Sequence, residues 1–229
     1  MNNKASGIDA ATTERRIVRL ALLFKAVLFA GIASLCFEVL WIRQLGLSLG
    51  STAIATSVML SAFLGGLALG STWMGRRADN LKEPARALML VELIAAVLGI
   101  VAIPALATAG TAYVFLARTF GATGLPATAL RALFALLVML IPALLFGMTF
   151  PLATTIGARL ARRATTAAGA VSAISSFGSA AGALLCGLWL EPTFGIFRSA
   201  LIAAGFNLLA AVCAGAVWLL ARAPSAKHD

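Results

Sequence analysis

The chain has 229 residues, of which 61% are hydrophobic and only 11% charged, and its mean hydropathy is +0.99. A soluble domain averages about 45–50% apolar and about 25% charged, so this composition excludes an ordinary soluble enzyme, a disordered tail and a fibrous protein. The net charge of +10 does not call for nucleic acid, because the cations lie between apolar blocks, where they set membrane topology.

Residues 1–16 are polar and read as a flexible cytoplasmic N-terminus, 17–222 as a six-helix transmembrane domain, and 223–229 as a cytoplasmic C-terminal tail. The basic run at Arg15, Arg16 and Arg19 is like the start of a signal peptide. No small-x-small cleavage site follows it cleanly, however, and five more apolar blocks do, so it reads as the lead-in to an uncleaved first helix. The spans are Phe24–Leu45, Ala53–Met74, Ala87–Ala107, Ala132–Gly157, Ala167–Leu190 and Ser199–Ala221. The second is about 33 Å long at 1.5 Å per residue, enough to cross a bilayer. A short interfacial helix is expected over Tyr113–Arg118, in the longest connection. Pro142, Gly147 and Pro151 predict a kink or tilt in the fourth span.

With the N-terminus in the cytoplasm, only Arg43, Arg118, Arg131 and Arg198 of the 18 Lys and Arg fall outside, which favours both termini inside and an even number of spans. Trp41 and Trp189 fall near outer ends, and Trp73 and Trp218 near inner ends, as an aromatic belt would. Small residues form ladders at Ala62, Gly66 and Gly70 on the second span and at Gly178, Gly182 and Cys186 on the fifth. Such faces let backbones approach closely, within the bundle, at a subunit interface or at a gating contact. Their equivalent places in two three-helix halves hint at a three-plus-three repeat.

Two acids lie within spans, Glu38 and Glu92. A carboxylate ionised at mid-membrane costs about 2.5–3.5 kcal/mol on insertion scales, so such residues usually mark function. Glu38 sits toward the outer end of its span and Glu92 toward the inner end of its own, about 15 Å apart along the normal. They suit two relay points or two halves of a cation path rather than one shared proton. A structural pair of Glu38 with Arg131 is the alternative for the first; Arg43 is a poorer partner, turned about 140° away. Snorkelling or a hydrogen bond to a neighbouring helix is the alternative for Glu92. Asn207 on the sixth span reads as interhelical glue. Cys36, Cys186 and Cys213 lie in apolar stretches and read as free thiols. The single His228 cannot build a metal cage or a catalytic triad, and nothing in the sequence calls for a cofactor.

The run Phe37-Glu38-Val39-Leu40-Trp41-Ile42-Arg43 resembles the first helix of the bacterial fused MFS/spermidine synthases. Further matches are Ala62–Ser71, Gly75-Arg76-Arg77-Ala78-Asp79, Gly147-Met148-Thr149-Phe150-Pro151, Gly178–Ala183 and Asn207-Leu208-Leu209. The likeness spans about residues 25–220. It implies an MFS-half-like three-plus-three bundle in the bacterial cytoplasmic membrane. Relatives of this kind add a soluble aminopropyltransferase-like domain. The sequence carries no Gly-rich strand-to-helix turn or soluble acid pair for one, so the resemblance implies the membrane module and not the enzyme activity. The run Gly75, Arg76, Arg77 and Asp79 also looks like the gate loop of major facilitator transporters. Asn80 stands where those usually carry a cation, so the run reads instead as a capped turn whose basic residues hold the loop inside.

Two functions follow as expectations. One is a half-transporter-like module handling a proton or a small, polyamine-like organic cation, with Glu38, Glu92, Arg43, Arg131 and Asn207 as path candidates. Alternating access needs two bundles, so this reading requires a homodimer or a second half. The other is a non-catalytic anchor or scaffold subunit in a hetero-complex with another membrane protein or a separately encoded soluble enzyme. In both, the partners include the bilayer, with anionic lipids on the cytoplasmic side.

Overall fold

A computed structural model describes residues 2–49, 52–120, 125–161 and 163–222. Among these residues there is no strand. Six helical segments follow in order: α1 (Asn2–Leu49), α2 (Thr52–Ala78), α3 (Pro84–Phe120), α4 (Leu125–Leu160), α5 (Ala164–Leu185) and α6 (Glu191–Arg222), with a π-helical turn at Cys186–Leu190 between the last two. Five stretches are long and apolar enough to cross a membrane, the last being the 58-residue run Thr165–Arg222. In lipid every backbone polar group must be satisfied within the chain, which only helices and closed barrels achieve. The outside is correspondingly apolar: Leu188, Phe177 and Val212 are 76%, 70% and 69% exposed.

Gly195 interrupts the last run with φ 74° and ψ 173°. An L side chain rarely adopts that backbone, so the break needs glycine. The chain folds back there. Cys186 and Leu190 share one apolar cluster with Ala200 and Ala203, while Val171 shares a second with Ala214 and Val217.

Helices α2 and α4 pack against each other, as do α1 and α5, α1 and α6, α3 and α4, and α3 and α6. Both small-residue ladders are used in this packing. A methyl group on Gly66 would meet Ala143, and one on Gly70 would meet the Leu144 carbonyl. On α5, Gly178 and Gly182 lie against the backbone at Leu28 and Ile32 of α1. Each helix contributes a glycine in return, Gly147 against Leu67 and Gly31 against the Ser175 carbonyl.

Several elements differ from the sequence expectation. The backbone is helical from Asn2, where a loose tail is expected. The interfacial helix expected over Tyr113–Arg118 is instead the continuation of α3, which runs through Pro104 without a break. Pro142 and Pro151 both sit inside one continuous α4. Trp41 is not an interfacial anchor: it is fully buried, stacked on Phe37 at 5.5 Å, and its indole donates to the Gly99 carbonyl at 3.2 Å. The missing side chain of Gly99 opens the slot that the Phe37 ring fills.

Candidate functional site

Two apolar clusters divide the bundle along its length. The one toward Gly195 is built on Phe37, Trp41, Phe63 and Phe146; the one toward the opposite end is built on Leu23, Leu88, Leu152 and Val217. Glu92 of α3 and Asn207 of α6, both fully buried, fall between them. On α3, Val91 belongs to one cluster and Ala95 to the other, with Glu92 in between; on α6, Ala204 and Ala214 likewise bracket Asn207.

Glu92 is fully buried. Its Oε1 accepts a hydrogen bond from Thr149 Oγ1 at 2.7 Å, and its Oε2 has no partner. Thr149 also lines a half-open cavity of about 240 Å³. Four helices wall it: α1 with Gly31, Ser34 and Leu35, α2 with Phe63, Leu67 and Ser71, α4 with Phe146, Gly147 and Phe150, and α5 with Ser175 and Ser179. The close glycine contacts hold the walls in pairs. Ser71 is tied across one pair, donating to the Gly147 carbonyl at 2.8 Å. Thr149 therefore has a carboxylate on one side and a hydroxyl-lined cavity on the other.

Glu38 is 8% exposed. It follows Gly31, Ser34 and Leu35 on the same stripe of α1, one turn beyond Ser34 toward Gly195. Among the described residues no hydrogen bond or ion pair reaches it; the side chain of Arg131, its expected alternative partner, lies outside those residues. The contact of Phe37 with Gly99 sets the level of Glu38 about eight residues along α3 from Glu92, or about 12 Å at 1.5 Å per residue. Two carboxyls thus stand at different depths of the bundle; Glu92 reaches the cavity wall through Thr149, and Glu38 lies outside the lining.

The other candidate residues have separate places. Arg43 is exposed and pairs with Glu191 through Nε at 3.1 Å, tying α1 to the start of α6. Asn207 is fully buried, and neither its amide nitrogen nor its oxygen has a hydrogen-bond partner, so it forms no interhelical bond. The Gly75–Asp79 run ends α2. Arg77 lies over the Trp73 ring at 4.7 Å, and Gly75 and Arg76 are exposed on the last turn. Asp79 is held by α4: Thr155 Oγ1 donates to its Oδ1 at 2.9 Å, and Arg159 Nη2 donates to the carbonyls of Asp79 and Leu81, each at 2.9 Å.

Sequence reasoning missed Thr149, Thr155, Arg159 and the cavity serines. Thr149 stands in a quoted motif run, but its partner is on another helix. At the end of the α2–α3 turn, Glu83 bridges Arg222 at 2.9 Å and Arg86 at 3.5 Å. The neighbouring Trp218 indole, with Arg222 and Arg86, holds the Glu83 carboxyl below the usual carboxylate range. That indole nitrogen is near the carboxylate without an aligned hydrogen bond. Among the described residues no group of His, Cys, Asp and Glu could hold a metal. Cys36, Cys186 and Cys213 are free.

These features define an all-helical chain apolar enough to cross a membrane several times, with a polar layer at mid-length. No family model, no curated protein and no solved structure matches it.

Proposed function

We propose that the chain is a six-span, half-transporter-like module of the bacterial cytoplasmic membrane that handles a small organic cation or a proton through the cavity beside Glu92. The observation that carries this reading is the hydrogen bond from Thr149, a cavity-lining residue, to a fully buried carboxyl. A carboxyl without a buried cation beside it is cheapest in lipid as the neutral acid. An ammonium entering the hydroxyl-lined cavity would favour the carboxylate instead, so cation binding and proton release become linked. Glu38, nearer the Gly195 end, supplies a second acid along the same path.

The fold-back at Gly195 supports reading Thr165–Arg222 as two spans, which gives six and puts both termini on the cytoplasmic side with the larger share of cations. The packing supports a three-plus-three repeat. Exchanging α1–α3 with α4–α6 turns the α2/α4 pair into the α5/α1 pair and the α3/α4 pair into α6/α1. Gly31 then falls on Gly147, Gly66 on Gly178 and Gly70 on Gly182. A shift in the same range carries Glu92 onto Asn207 and Thr149 onto Ala33. On that repeat alanine stands where Thr149 supplies a hydroxyl, which is consistent with the unpartnered Asn207. The resemblance to the membrane part of fused MFS/spermidine synthases points the same way, toward a polyamine-like cation.

The cavity is open on one side, so a transport path needs a second wall from another copy or another half. If a different protein fills that side, the chain is instead an anchor or scaffold subunit. The test is uptake of labelled polyamine into proteoliposomes under a pH gradient. Uptake by the parent chain that falls at least tenfold in Glu92→Gln, with Thr149→Val intermediate, supports the reading. Equal uptake in parent and Glu92→Gln overturns it.

A further inference from the structure

A second cavity, of about 190 Å³, lies at the end of the bundle opposite Gly195. Arg19 of α1, Lys82 and Glu83 of the α2–α3 turn, Arg159 of α4, and Trp218 and Arg222 of α6 line it. Four cations therefore face one carboxylate, and that carboxylate already serves Arg222 and Arg86. Arg159 is fixed by Nη2 on the Asp79 and Leu81 carbonyls. Arg222 lies over the Trp218 ring at 5.0 Å. Nε of Arg19 is buried without a hydrogen-bond partner, and the Trp218 indole nitrogen has no aligned acceptor. A buried donor left unpaired costs about 1–3 kcal/mol. Unmet donors and uncompensated positive charge in one concavity between helix ends are what an anionic oxygen group would satisfy.

We infer that this cavity binds a phosphate group, either the headgroup of an anionic lipid or a free phosphate ion. The site is independent of the proposed transport cavity and stands if that reading fails. Arg19 and Lys82 supply charge that no acid among the described residues pairs with, and Arg159 and Trp218 supply the fixed wall.

The experiment measures the full chain in nanodiscs of phosphatidylcholine doped with phosphatidylglycerol, reading lipid retained per protein by native mass spectrometry. The parent, Arg19→Gln, Lys82→Gln, and the control Arg76→Gln, a nearby cation outside the cavity, are compared. Each lost cavity cation is expected to weaken retention about fivefold, with the control unchanged. A parallel arm titrates inorganic phosphate in neutral detergent and follows the melting temperature. Phosphate-dependent stabilisation that is lost in Arg19→Gln, without lipid selectivity, assigns the site to the free ion. Equal retention and equal phosphate response in the parent and both cavity variants overturn the inference, as does an equal loss in Arg76→Gln. Matching melting temperatures in pure phosphatidylcholine establish that the variants are folded.

Discussion

Gly70 and Gly65 are five residues apart on α2, and their surroundings are opposite. A Cβ added at Gly70 overlaps the Leu144 carbonyl oxygen and comes within 2.9 Å of its carbon and 3.2 Å of Gly147 Cα; at Gly65 it meets nothing within 4 Å. The atoms opposing Gly70 are backbone, so no rotamer change relieves the overlap and α2 must move off α4. Overpacking of this kind costs about 1–3 kcal/mol, here toward the upper end. At Gly65 only helix propensity changes, which favours alanine by about 0.5–1 kcal/mol. That propensity gain is common to both sites and cancels, so Gly70→Ala is expected to be about 2–3 kcal/mol less stable than Gly65→Ala. Reversible unfolding in mixed micelles measures the difference. On α5 the same contrast is expected between Gly182, against the Ile32 backbone, and Gly169, which is open. Equal stabilities, or a Gly70→Ala variant whose only defect is loss of an oligomer, would refute the assignment of these ladders to packing within the chain.

The remaining predictions concern single interactions. Below the ordinary carboxylate range near pH 4.3, protonation of Glu83 removes its pairs with Arg222 and Arg86. Because its folded-state value is lowered, the stabilisation is present above the unfolded pKa and is lost as pH falls through the folded one; an acid titration of Trp218 fluorescence should follow that loss, and a signal unchanged by Glu83→Gln would count against it. Glu191→Gln should cost less than about 1 kcal/mol, because its Arg43 partner is exposed, and 0.5 M salt should erase most of the effect. On the proposed three-plus-three repeat, Ala33→Ser should offer Asn207 a hydroxyl and stabilise the chain by up to about 1 kcal/mol; the same effect in an Asn207→Leu background would show that the two residues do not meet.

Much of the frame was legible because lipid imposes a strong local signal. Long apolar blocks, cations at their ends and ladders at a spacing of four are each properties of one helix. Glu92 was legible for the same reason, since a carboxyl inside an apolar run stands out alone. What bound it was not: Thr149 is 57 residues away, and although α5 carries a serine stripe at Ser172, Ser175 and Ser179, the other cavity hydroxyls stand singly on α1, α2 and α4 and meet it only in the fold. Trp41 was misread because its place near a span end fits an interfacial anchor equally well. Its burial depends on the Gly99 slot in another helix. The Gly75–Asp79 turn was found as a motif, but the residues that hold it, Thr155 and Arg159, lie 76 and 80 residues on from Asp79. The reversal between the last two spans was legible, since the expected spans end at Leu190 and resume at Ser199; that Gly195 is the residue that breaks the backbone there shows only in its φ.

The linkage of cation binding to Glu92 is tested most directly by counting protons. Purified protein in weakly buffered detergent solution is titrated with a diamine, and proton release is read with a pH indicator alongside the binding isotherm. The account predicts close to one proton released per cation bound by the parent chain, and a release that disappears in Glu92→Gln. Binding with the same proton release in Glu92→Gln would contradict it.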